Sequence, residues 1–91
     1  MPKKILVVIP ESHVARLVEV NLRRLGHQVL VARTSAAAQA LARTEAPDLV
    51  LVDVLTAFGA TFDLLRELKS DPHTAGIEVR VIQPGGLLAP P

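Results

Sequence analysis

Short apolar runs that alternate with segments of helical periodicity constrain the fold of this chain more than any other feature. The first run lies within residues 3–9 and ends at Pro10, and further segments that we interpret as strands follow at 29–32, 48–52 and 78–83, the last with charged residues among its apolar ones. Continuous apolar runs are typical of parallel strands that are covered on both faces. Strands that alternate with helices through short connections form parallel sheets with right-handed crossovers. The pattern therefore predicts an α/β domain with four strands.

Three helices are predicted between these strands, the second over residues 36–45. Each follows residues that can cap a helix N-terminus: Glu11-Ser12, Thr34-Ser35 and Thr61. Apolar residues at spacings of three and four predict the buried faces of the first and third helices. The first face consists of Val14, Leu17, Val18, Leu22 and Leu25, and the third of Phe62, Leu65 and Leu68. Gly26 is predicted to end the first helix.

Composition excludes several classes of function. The 91 residues suffice for one domain, and aromatic residues make up only 2% of them, so the core is predicted to be aliphatic. The net charge of +1 comes from dispersed residues and predicts no nucleic-acid partner. The absence of cysteine excludes disulfides and thiolate metal sites and is typical of a reducing compartment. With no membrane-spanning or signal segment, we expect a cytoplasmic protein with no membrane partner.

The order and spacing of five segments resemble the receiver domain of two-component response regulators. These segments cover residues 3–8, 11–27, 46–54, 62–69 and 71–77. The resemblance extends over residues 3–83. It implies a flavodoxin-like, three-layer parallel sheet with strand order 2-1-3-4-5 and a site where strands 1 and 3 diverge. Because the chain ends before a fifth strand, we expect a truncated sheet of order 2-1-3-4.

The same resemblance implies a set of site positions. Asp53 matches the aspartate that accepts a phosphoryl group in the family, which makes it the phosphoacceptor candidate. The acidic pair that binds Mg²⁺ in the family falls on Ile9 and Pro10, and the Ser/Thr position falls on Gln83. The family's lysine has no counterpart. Glu11, one residue beyond the lost pair, is a weak candidate for a metal ligand beside Asp53.

These replacements predict a site without a metal or a catalytic residue. Mg²⁺ prefers octahedral oxygen ligands, usually anchored by carboxylates, and Asp53 with one carbonyl would hold it poorly. Glu11 is expected to cap the first helix or face solvent. Asp53 also has a structural interpretation, as a carboxylate that accepts hydrogen bonds from loop amides. We therefore expect no cofactor, with Mg²⁺ relevant only if Asp53 is a working phosphoacceptor.

The leading hypothesis is a degenerate, pseudo-receiver-like domain over residues 1–83 that acts through protein–protein contact and is not an enzyme. Residues 84–91 are expected to form an irregular tail or linker. One alternative is a phosphorelay receiver in which a histidine kinase phosphorylates Asp53, and another is a small-molecule-binding module. Arg80 lies mid-strand, which predicts that no helix covers its face. An open edge at the fourth strand invites a partner, and a homodimer is the expected one.

Overall fold

The structure, a computed structural model, describes residues 3–53 and 60–82. Strands and helices alternate along the chain, as the sequence predicts. Their bounds are β1 (Lys4–Val8), α1 (Ser12–Arg24), β2 (Gln28–Ala32), α2 (Ser35–Glu45), β3 (Leu49–Asp53), α3 (Ala60–Ser70) and β4 (Glu78–Ile82). No helix in this part of the chain is long and apolar enough to span a membrane.

The strands form one parallel sheet in the order β2-β1-β3-β4. In the register, Val8 of β1 lies beside Ala32 of β2 on one side and Val52 of β3 on the other. The predicted fold class and strand order are therefore confirmed. Several boundaries differ from prediction by one residue: β2 begins at Gln28, α2 begins at Ser35, and β3 runs from Leu49 through Asp53. The third helix begins at Ala60, so that Thr61 lies inside it.

The sheet buries aliphatic side chains on both faces. On one face, α2 and α3 cover the strands, and we call it the two-helix face; its buried residues are Leu6, Val8, Ala32, Ala38, Ala42, Val50, Val52, Leu64 and Leu68. On the other, the α1 face, the buried residues are Ile5, Val7, Ile9, Ala15 and Val29. The α1 face is covered by a single helix in the described residues, and Leu49 and Leu51 of β3 remain only half-buried there.

The predicted buried face of α1 is only partly correct. Val14, Val18 and Leu22 pack against the sheet, as expected. Leu17 is 49% exposed, however, and the residue buried instead is Ala15. The two lie about 200° apart around the helix, so only one of them can face the sheet. The small Ala15 side chain lets the helix approach the strands closely, which leaves Leu17 on the outer side.

Leu25, the last residue of that predicted face, is 73% exposed because the helix has already ended there. Leu25 is the C-cap, and the following Gly26 has a φ of 92°, in the left-handed region that favours glycine. The Gly26 N–H donates to the Arg23 carbonyl at 2.9 Å. The prediction that Gly26 ends this helix is confirmed.

The predicted face of α3 also needs correction. Leu68 is buried, as expected, but its partner is Leu64, four residues earlier. Phe62 is 66% exposed and Leu65 is half-buried. Leu64 and Leu68 align on one side of the helix and reach the centre of the two-helix face, whereas Phe62 lies on the other side, near the start of the helix.

A compact turn joins α3 to β4. The hydroxyl of Thr74, buried to 1% exposure, donates to the Leu68 carbonyl at 2.6 Å. The backbone carbonyl of Asp71 accepts hydrogen bonds from the N–H groups of Thr74 and Ala75. The Asp71 carboxylate accepts a hydrogen bond from the His73 N–H at 2.9 Å. This carboxylate also lies 3.0 Å from the Arg43 guanidinium of α2. The turn is thereby tied to both helices of the two-helix face.

Candidate functional site

The carboxyl ends of β1, β3 and β4 meet at one edge of the sheet, where ligands of open α/β sheets usually bind. Val8 of β1 pairs with Val52 of β3, so Ile9 and Asp53 follow side by side at this edge. Asp53 also pairs with Ile82, the last residue of β4. The Asp53 side chain is half-buried on the α1 face of the sheet. The predicted phosphoacceptor position therefore lies at the centre of the carboxyl edge.

Ile9 occupies the neighbouring position as a core residue. It has 0% exposure and belongs to the buried cluster beneath α1. Its N–H donates to the Ala32 carbonyl at 3.1 Å, which fixes this part of the chain against β2. Pro10 is half-buried, and its carbonyl accepts from the Arg33 Nε at 3.2 Å. Neither residue offers a carboxylate to a ligand at this edge.

Glu11 is the N-cap of α1, as the sequence predicts. Its carboxylate accepts a hydrogen bond from the Val14 N–H at 2.8 Å. The backbone N–H groups of Val14 and His13 hold the pKa of Glu11 below its usual value. These donors stabilise the ionised form of the carboxylate at the helix terminus. The weaker prediction, that Glu11 is a metal ligand beside Asp53, stays a prediction.

The described residues at this edge do not fit a magnesium site. Mg²⁺ needs near-octahedral oxygen coordination, with carboxylates as anchors. No group of three His, Asp or Glu side chains that could hold a metal is found in residues 3–53 and 60–82. Ile9 and Pro10 supply hydrocarbon where a receiver site would have acids, and Glu11 caps a helix. The predicted position of Gln83 lies outside the described residues, so its contribution stays a prediction.

Arg80 and Glu78 form an ion pair on β4, and the sequence predicts the location of Arg80 only. The prediction that no helix covers Arg80 agrees with its exposed side chain. Its Nε lies 2.5 Å from the Glu78 Oε2, two residues earlier on the same face of the strand. The mid-strand position of Arg80 is evident in the sequence, whereas its partner Glu78 is not predicted there. The signal was the Glu-x-Arg spacing, which places both side chains on one face of a strand.

A shallow groove of about 590 Å³ lies between α1 and β2. Two of its arginines already have partners in the fold. Arg23 bonds the Glu19 carboxylate at 3.1 Å and the Val29 carbonyl at 3.0 Å, and Arg33 bonds Pro10. Asp53 is not among the residues that line this groove. The small-molecule alternative, which places a ligand at the strand ends, therefore stays a prediction.

Comparison with known proteins identifies the class. Protein PilH of Pseudomonas aeruginosa is 39% identical over 61 residues, which are 67% of this chain and 50% of PilH. The alkaline phosphatase synthesis transcriptional regulatory protein PhoP of Bacillus subtilis is 44% identical over 55 residues, which are 60% of this chain and 23% of PhoP. No protein-family model matches the sequence.

Among solved structures, the N-terminal domain of a response regulator receiver protein from Methanoculleus marisnigri superposes with a TM-score of 0.82 at 26% identity. The match covers 87% of this chain and 64% of that one. The chain is thus a receiver-like domain of the response regulator class, as its sequence predicts. It spans half the length of PilH and less than a quarter of PhoP.

Proposed function

We propose that this chain is a receiver-like signalling module that acts through protein–protein contact and not through phosphoryl transfer at Asp53. Its relatives support a role in response regulator signalling. The observation that carries the proposal is Ile9, fully buried beside Asp53 at a position that matches the family's acidic pair. We place the module in the cytoplasm and assign it no enzymatic activity.

The charges around Asp53 differ from those that phosphoryl transfer needs. Phosphoryl transfer depends on cations that neutralise the oxygens of the transferred group. Ile9, which directly follows β1, and Ile82 of β4 lie beside Asp53, and Glu11 caps the start of α1. An incoming phosphoryl group would meet hydrocarbon on both sides. The fold keeps the strand that presents Asp53, while these neighbours offer the transferred oxygens little stabilisation.

The alternative, a working phosphoacceptor, has one observation in its favour. Asp53 ends β3 at the carboxyl edge, which is the position expected of an acceptor in this class. The two hypotheses share the fold and differ only in the chemistry of that carboxylate. They are therefore separated by a measurement on Asp53 itself and not by further structural likeness.

Intact mass spectrometry after incubation with acetyl phosphate and MgCl₂ tests the proposal. We expect the mass of the chain to remain unchanged under conditions that phosphorylate a receiver domain with its acidic pair intact. The matched control is Asp53→Asn, which keeps the shape of the side chain and removes the acceptor. A gain of one phosphoryl group in the original chain that is absent in Asp53→Asn would overturn the proposal.

A further inference from the structure

The outer edge of β4, the last strand of the described sheet, carries backbone N–H and C=O groups. In the described part of the chain, β4 pairs with β3 alone. The Ala32 carbonyl of β2 points towards β1, since it accepts a hydrogen bond from the Ile9 N–H. The Ala32 side chain lies on the two-helix face. In a parallel sheet, residues on one face direct their N–H and C=O groups to the same side. Val79 and Val81, on that same face, therefore direct theirs outward from β4.

The side chains of β4 divide cleanly between the two faces of the sheet. Val79 and Val81 pair with Val50 and Val52 on the two-helix face, and Val81 is 43% exposed. Glu78 and Arg80 pair with Leu49 and Leu51 on the α1 face. One face of the edge is thus apolar and the other carries one negative and one positive charge. A partner strand must complement both faces at once.

We propose that β4 pairs antiparallel with β4 of a second copy of this chain, about a two-fold axis through Val79. This inference rests on the proposed protein-contact function and names its partner. In this register Val79 faces Val79 of the second copy, Glu78 faces Arg80, and Val81 faces Ile77. Both charges are matched by opposite charges on the α1 face, and apolar side chains meet on the two-helix face. The two sheets become one sheet of eight strands.

The charges select this register over its neighbours. Moving the axis to Glu78 would place two glutamates opposite each other, and moving it to Arg80 would place two arginines opposite each other. Like charges directly opposite on neighbouring strands are destabilising, whereas opposite charges contribute favourably. A shift of the pairing by a single residue is excluded. It would place residues whose N–H and C=O groups point away from β3 opposite residues of the second copy whose groups point towards its own β3. Isologous pairing of this kind closes after two copies.

Charge reversal provides the first test. Glu78→Arg and Arg80→Glu each create like-charge pairs across the axis, so each variant alone should raise the dimer dissociation constant about tenfold. An equimolar mixture of the two should associate like the original chain, because every cross-strand pair is again oppositely charged. The mixture separates pairing between chains from the Glu78–Arg80 contact within one chain, which stays broken in both variants. Arg66→Glu, on the exposed side of α3, is the control and should leave association unchanged.

Association is measured by sedimentation velocity over a concentration series, with far-UV circular dichroism to verify folding. A 9.7 kDa particle at all concentrations, or a mixture that associates no better than its components, would overturn the inference. It would leave the proposed function standing, since the phosphodonor experiment decides that separately.

Hydrogen exchange on the unmodified chain gives a second readout that does not depend on any variant folding. The Val79 and Val81 amides should gain protection as concentration rises. The Arg80 amide, directed towards β3, should not. Equal behaviour of all three amides would contradict the proposed pairing.

Discussion

The carboxylate of Glu11 accepts a hydrogen bond from the backbone N–H of Val14 at 2.8 Å. This contact gives a structural role to the acidic residue that directly follows Ile9 and Pro10 in the chain. Glutamate is not among the strongly preferred N-cap residues, yet here its longer side chain reaches the first turn of α1. The same contact that starts the helix gives Glu11 a structural role, in line with our proposal that it is not a metal ligand.

Removal of this cap should destabilise the domain. We expect Glu11→Ala to lower the melting temperature, because the first turn of α1 loses a hydrogen-bond acceptor and a negative charge that complements the helix dipole. Glu11→Asp should retain most of the stability, since aspartate is a good cap. Thermal unfolding followed by circular dichroism measures both. Glu67→Ala, which removes an exposed carboxylate from α3, serves as the control, and an equal loss there would contradict the capping role.

The core of the two-helix face should be far more sensitive than the outer side of α1. Leu64→Ala is expected to cost about 2–5 kcal/mol of unfolding free energy, because Leu64 is fully buried. Leu17→Ala should cost under about 1 kcal/mol, since half of that side chain is exposed. Urea titration measures both values. Comparable losses in the two variants would show that Leu17 contributes to the core.

Asp71 should make the stability depend on pH. The His73 N–H holds the pKa of Asp71 below its usual value, and the His73 ring and the Arg43 guanidinium act in the same direction, against a contribution from burial that raises it. A lowered pKa in the folded state means that the ionised carboxylate stabilises the fold above the unfolded-state pKa of about 3.9. That stabilisation is lost as the pH falls through the folded-state value.

We therefore expect Asp71→Asn to lower the melting temperature at pH 7, while leaving an acceptor for the His73 N–H. The difference from the original chain should shrink as the pH falls below about 4. Thermal melts over a pH series measure it. Asp63→Asn, at an exposed pair 3.8 Å from Arg66, should have little effect throughout. A difference for Asp71→Asn that persists at the lowest pH would show that charge is not its cause.

The sequence predicts the strands and their order because these depend on local hydrophobic runs and on the family resemblance. The same patterns did not distinguish Leu17 from Ala15, or Phe62 from Leu64. Apolar periodicity marks a broad side of a helix, whereas the residue that becomes buried depends on how closely the helix approaches the sheet. The contact between Arg43 and Asp71 joins residues far apart in the chain, and no local pattern predicts it.

At the candidate site, the sequence predicts the position of Asp53 and the cap at Glu11, and the structure agrees with both placements. The sequence predicts an uncovered Arg80 but not its ion pair with Glu78. The proposed role of this pair in association depends on β4 lying at an edge of the described sheet. A strand-edge charge pair becomes informative once the register with β3 is known.

We propose that the carboxyl edge around Asp53 lacks the metal site that phosphoryl transfer requires. Amide ¹H–¹⁵N spectra recorded during titration with MgCl₂ test it most directly. We predict no saturable shift at Asp53, Ile9 or Ile82, in the original chain or in Asp53→Asn. Saturable shifts confined to these strand ends, present in the original chain and abolished in Asp53→Asn, would contradict the account.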